Sequence, residues 1–300
     1  MPSALPTESA LFIQTSPSLS KSVNSAPYLL PNVLTKFAGR YTLGTPESRT
    51  GRPGRLQAFV ARDEATIVAA QKLRYRVFAE EMGARLHTPV DGLDIDEFDA
   101  YCDHLVVVDN RENRVIGSTR LLSDSQAKRL GRFYSEGEFS LSGILALEGR
   151  FLEIGRTCVD PNYRGGAVIA CLWGALSEYV TQGGFDHLMG CASIPPGPSG
   201  FAVDAVYRNI GEERLGPAEL GVQPRQPVPA WKRCQRDESG VPPLLQAYLR
   251  LGAWVFGEPC WDEDFDVMDV FVLLKMERLQ GRYERHFVGG DRNAALQTGL

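Results

Sequence analysis

The stretch Arg150–Leu176, RFLEIGRTCVDPNYRGGAVIACLWGAL, decides how this chain is read. Its first part, FLEIGRTCV, is apolar apart from Glu153, Arg156 and Thr157, which is the composition of a buried strand. A carboxylate or guanidinium there is costly unless it is paired or faces a wet cleft. Side chains alternate along a strand, so residues three apart face opposite ways. An irregularity at Gly155, such as a bulge, would bring Glu153 and Arg156 onto one face. A flat strand would instead leave them as structural ion-pair partners of Arg120, Asp96 or Asp99.

The second part runs through Arg164, Gly165 and Gly166 straight into an apolar helix. Glycines let backbone approach a ligand, and the first N–H groups of a helix lack partners, which together suit an anion such as phosphate. Arg164 adds a forked cation. The spacing is neither GxxxxGK[ST] nor GxGxxG, so this is not a P-loop or a dinucleotide turn. Taken alone, the motif equally describes a tight strand-to-helix link.

Working outward, the 300 residues are 43% hydrophobic and 23% charged, enough for a substantial core. A net charge of -5 gives no reason to expect nucleic acid. Six cysteines fall in no CxxC pair and no Cys/His metal spacing, so no metal site and a reducing cytoplasm are expected. The apolar run 167–176 is half a membrane span, and the first residues lack the pattern of a signal peptide.

Residues 1–53, rich in Ser, Pro and Thr, read as a flexible extension, and 54–300 as one mixed α/β domain. LQAFVAR reads as a strand, and Asp63 as the N-cap of a helix ending near Gly83. HLVVVDN and VIGSTRLL read as a hairpin, and HLMGCAS as a buried strand. PPLLQAYLRLG reads as a helix before one long strand, DVMDVFVLLKM.

Other polar residues sit in unusual places. Arg74 and Phe78 share the first helix, the loop DIDEFDAYCDHL carries Asp96 and Asp99, and Arg120 ends GSTR within a strand. The acidic loop lacks the glycine and terminal glutamate of an EF-hand, so it reads as solvated charge or a site for a cationic substrate. Cys158 has no histidine near it in sequence and reads as an inert thiol.

The order Arg74, Phe78, Asp96, Asp99, Arg120, Glu153, Arg156 resembles the acyl-homoserine-lactone synthases, a branch of the GNAT-like acyltransferase fold. DEFDAYCDHLVV, EIGRTCVDPNYRGG, LMGCASI, YLRLGAWVFGEPCWDEDFDVMDVFVLLKM and RYERHF together resemble more closely the bacterial ornithine N-acyltransferases, over residues 56–288. The lactone synthases' aromatic residue after the Phe78 position is absent here, with Ala84 near its place. Those enzymes also end before LRLGAWVFGEP. Both departures favour the ornithine enzymes.

The resemblance implies a GNAT-like mixed sheet flanked by helices, and transfer of a 3-hydroxyacyl group from acyl carrier protein to L-ornithine. It implies no permanently bound cofactor, the acyl-phosphopantetheine being a donor substrate held at Arg164, Gly165 and Gly166. Glu153 is expected to take the proton from the amine, with Arg156 beside it as the second catalytic residue. Arg74, Phe78, Asp96, Asp99 and Arg120 are expected around the acceptor. HLVVV and LMGCAS are expected to line a slot for the acyl chain. Lys128, Arg129 and Arg132, or Arg225, Lys232, Arg233 and Arg236, are the candidate docks for an acidic carrier protein or an anionic membrane surface. The competing readings are a related enzyme with another amine acceptor and a module that binds acyl-pantetheine without turnover.

Overall fold

A computed structural model describes residues 54–235 and 240–278. The N-terminal stretch 1–53, Arg236 and the RYERHF segment lie outside the described residues.

Apolar alternation builds the sheet. Strands β1 (Leu56–Val60), β2 (Asp103–Asp109) and β3 (Arg114–Ser123) pair antiparallel. After the short β4 (Phe139–Ser140) come β5 (Phe151–Val159) and β6 (His187–Ile194), then β7 (Gln223–Pro224), β8 (Trp254–Asp262) and β9 (Val267–Lys275). The main sheet has seven strands in the order β1-β2-β3-β5-β6-β9-β8, and β4 and β7 form a separate pair. Among the described strand pairs of this sheet, only β5 and β6 run parallel.

Helix α1 (Glu64–Tyr75) starts where Asp63 accepts the Thr66 N–H at 2.9 Å. It continues as a π-helical turn, Arg76–Glu81, in which the Met82 N–H reaches back to the Val77 carbonyl. The later helices are α2 (Asp124–Leu130), α3 (Ser142–Leu145), α4 (Ala167–Gly183), α5 (Val203–Ile210) and α6 (Pro243–Leu251).

Alternation along β2 explains why helices cover both faces. Val106 packs under α1 with Leu73 and Val77, whereas Leu105 and Val107 pack under α4 with Val168 and Leu172. Leu105 and Val107 therefore belong to the core rather than to a ligand slot.

The mixed α/β expectation holds, with one strand more in the main sheet than the sequence suggested and the short pair β4 and β7 beside it. β8 escaped because Gly257 and Pro259 interrupt its apolar run, and its pairing with β9 skips between Phe256 and Cys260. That irregularity absorbs the two strand-breaking residues.

Candidate active site

The site is a fork in the sheet. β5 and β6 pair over only Phe151↔His187, Leu152↔Leu188 and Glu153↔Met189. Past that point β6 stays with β9 through Ile194, while β5 follows β3. The divergence leaves one backbone edge of β5 without a strand partner. At the crotch, a Cβ on Gly190 would lie 2.3 Å from the Ile154 carbonyl oxygen, so only glycine fits.

The charged strand is bulged. Across β3, Ser118 faces Cys158 but Arg120 faces Gly155, so β5 carries one extra residue. Arg156 takes it up at φ 50°, a left-handed conformation that costs a non-glycine residue about 1–3 kcal/mol. Thr119 sits opposite, donating to the Gly155 carbonyl at 3.2 Å and meeting the Thr157 hydroxyl at 2.7 Å. The bulge aims Glu153 and Arg156 into one cleft of about 410 Å³, which Ile154–Val159, Cys191, Ala192 and Ser193 also line.

Glu153 is buried at the cleft wall and accepts N–H bonds from Tyr134 and Ser135, both at 2.7 Å, and the Ser135 hydroxyl. Burial nevertheless raises its pKa, against the pull of those donors. Arg156 is boxed by the rings of Phe78, Tyr134 and Phe265, and it bonds the Tyr134 hydroxyl at 3.3 Å. Its Nε is enclosed without a hydrogen-bond partner, 3.5 Å from Asp94. Phe78 and Arg120 reach the same cleft.

Arg74, Asp96 and Asp99 lie behind the cleft. Arg74 is completely buried, bonded to Asp94 at 2.8 Å and to Asp99 at 2.8 Å. Arg120 bridges Asp96 and Asp99. Burial works against the Arg120 charge, yet the Asp96 carboxylate raises its pKa. These residues form a closed ion-pair network in which Asp96 and Asp99 already have guanidinium partners.

The far end of the cleft meets the turn before α4. Arg164 lines it and makes a forked pair with Glu81 at 2.6 and 2.7 Å. Added Cβ atoms on Gly165 and Gly166 would meet nothing within 4 Å, so the backbone there is open to an approaching group. Gly166 caps α4 with no side chain over its first N–H groups. Burial pushes the Cys158 thiol up to about 12, in keeping with an inert cysteine.

An apolar channel adjoins the fork, lined by Ile154, Met189, Ala192, Tyr248, Leu251 and Leu274 among others. Thus LMGCAS contributes to a slot and HLVVV does not. Of the basic runs, Arg132 pairs with Glu97, Lys232 with Asp266 and Arg233 with Glu258.

Sequence reasoning missed three carboxylates. Glu138, Asp262 and Asp269 line the cleft, and each offers an oxygen within 4.8 Å of the others. Burial pushes Asp269 up to about 7 and Glu138 well above the usual carboxylate range, with their mutual repulsion adding to the shift of Glu138. The signal for Asp269 was present, an acid inside the apolar strand VMDVFVLLK.

The chain is similar to several known proteins. A model of the acetyltransferase (GNAT) domain matches residues 73–174. An L-ornithine N(alpha)-acyltransferase of Agrobacterium fabrum is 36% identical over 262 residues, covering 81% of this chain and 88% of the relative. One from Rhizobium meliloti is 35% identical over 262 residues, covering 80% and 86%. A solved CoA-dependent acyl-homoserine lactone synthase with SAM and isopentyl-CoA is 16% identical at a TM-score of 0.46, covering 77% of this chain and 88% of that one. Identity of this extent across most of both chains places the protein in the L-ornithine N(alpha)-acyltransferase family.

Proposed function

We propose that this acyltransferase moves a 3-hydroxyacyl group from the phosphopantetheine thioester of acyl carrier protein to the α-amine of L-ornithine. The observation that carries the reading is the fork, where the bulge turns Glu153, Arg156 and a free backbone edge toward one cleft.

A protonated amine has no lone pair, so the α-ammonium must first lose a proton. Glu153 accepts it, directly or through water; burial, which disfavours the carboxylate, makes it a stronger base than an exposed glutamate. The amine attacks the thioester carbonyl, whose oxygen gains negative charge. Backbone N–H groups on the unpaired edge of β5 are the donors available to it. As the tetrahedral species collapses, the C–S bond breaks, and the pantetheine sulfur leaves with a proton as the thiol. The Arg156 guanidinium, which lines the cleft, holds the acceptor's carboxylate.

Phosphate at Gly165–Gly166 with Arg164 beside it would fix the donor along β5, making the reaction one between held groups. The acyl chain then runs into the apolar channel between α4 and α6. Half-exposed Arg76 and Arg164 beside that turn would meet the acidic carrier protein. Contact with an anionic membrane surface belongs to the same proposal, since the product is a lipid. No helix among the described residues is long and apolar enough to cross a membrane.

The test is to incubate the protein with 3-hydroxyacyl carrier protein and ornithine, lysine, glycine or S-adenosylmethionine, reading products by mass. Acyl-ornithine and free carrier thiol in equal amounts are expected. Donor binding with no thiol released for any amine would mean a binding module.

A further inference from the structure

The cleft contains two enclosed polar groups of opposite sign that do not satisfy one another. One is Nε of Arg156; the other is Oε2 of Glu138, shut from solvent and without a hydrogen-bond partner. Glu138 follows the turn Tyr134–Gly137, while Asp262 ends β8 and Asp269 lies on β9 across the hairpin. One Asp269 oxygen accepts the Ser193 hydroxyl at 2.7 Å. One Asp262 oxygen accepts the N–H groups of Asp264 and Phe265 at 2.9 and 3.0 Å. Among the described residues, none of the three acids has a cationic partner within 4.0 Å, although Asp269 is only 3% exposed.

Three carboxylates within 4.8 Å repel one another, and burying them unpaired adds a desolvation cost. Either a proton or a cation that fills it relieves that arrangement. An alkyl ammonium presents three N–H donors on a narrow stem, matching three acceptors at one end of a cleft. We propose that Glu138, Asp262 and Asp269 form the receptor for the side-chain ammonium of the acceptor amino acid, and so set its specificity for a cationic side chain. This deepens the acyltransferase reading and rests on it: Arg156 takes the carboxylate, the α-amine faces the fork, and the side chain extends to the acids.

The experiment compares L-ornithine with L-norleucine, its isostere with methyl in place of the terminal ammonium. Steady-state kinetics are run on the wild type and on Glu138→Gln, Asp262→Asn and Asp269→Asn. The wild type should prefer ornithine by about 10- to 100-fold or more, the range of a hydrogen-bonded charge. The variants should lose most of that preference through a raised KM for ornithine. Their melting temperatures should hold or rise, because each substitution relieves repulsion. Variants that melt lower and lose activity equally toward both amino acids would overturn the assignment in favour of a structural role.

Calorimetric titration of both amino acids separates this proposal from the one beneath it. If the wild type makes no acyl-ornithine, the acyltransferase reading fails. The receptor is then supported by ornithine binding that norleucine lacks and Glu138→Gln removes. Equal binding of both amino acids overturns it, as does stabilisation by calcium with none by ornithine.

Discussion

The Thr119 hydroxyl on β3 donates to the Gly155 carbonyl on β5 at 3.2 Å, directly opposite the residue with positive φ that makes the bulge. It also meets the Thr157 hydroxyl at 2.7 Å, so one side chain pins both flanks of Arg156. Thr119 is 2% exposed, and water cannot replace these bonds. Thr119→Val keeps the shape and removes the hydroxyl. It should cost about 1–3 kcal/mol for the unsatisfied groups left behind. Turnover should fall more than stability alone explains, because the bulge is free to relax. Denaturant unfolding and steady-state kinetics on one preparation check this.

Gly190→Ala places a methyl against the Ile154 carbonyl oxygen at the crotch of the fork. Backbone must move, because neither partner is a flexible side chain. A loss of about 1–3 kcal/mol is expected, as for overpacking in a tight core. Thermal unfolding measures it, and unchanged stability would show that the fork is looser than drawn.

Glu153→Gln should leave the fold in place while lowering acyl transfer by about 10²- to 10⁴-fold, the share of a general base. Near-normal rates at saturating ornithine would show that another group takes the proton. Circular dichroism should accompany the assay, because the Glu153 carboxylate also holds the turn at Tyr134 and Ser135.

Arg164→Ala should raise KM for the acyl-carrier donor by about tenfold, as expected for a lost charge-assisted phosphate contact. KM for ornithine should stay put. Phe78 packs against Phe265 and Arg156 lies 3.5 Å from Asp94, neither of them held by Arg164, so the effects should separate cleanly.

Asp269, raised to about 7 by burial, faces Ser193 from β6, Asp262 from β8, Glu138, and Arg156 from β5. A group with a raised pKa carries its proton below that value, and a protonated acid attracts no ammonium. KM for ornithine should therefore climb as pH falls below about 7, by at most about tenfold per unit for one titrating group. The norleucine KM should show no such slope, and parallel profiles would remove Asp269 from the receptor.

Much of the architecture was written locally. Asp63 capping α1, the alternation in β2, and the glycines ahead of α4 each act within a few residues, so periodicity and capping chemistry reveal them. The oddity of Glu153 and Arg156 in an apolar strand was equally visible, because charge in a core strand always demands an explanation. Their meeting in one cleft was not. It depends on an extra residue taken up against β3 and on β6 leaving β5 after three pairs, both properties of strand pairing across long separations. The acidic loop shows the same limit from the other side: Asp96 and Asp99 looked available for a ligand, yet folding delivered Arg74 and Arg120 to them. Glu138, Asp262 and Asp269 stand far apart in the chain, and only closure of the sheet brings their charges within 4.8 Å. Local chemistry along the chain sets which elements form and which residues are out of place in them. The tertiary structure alone decided which charges cancel and which stay open, because Coulomb energy depends on distance in space rather than on position along the chain.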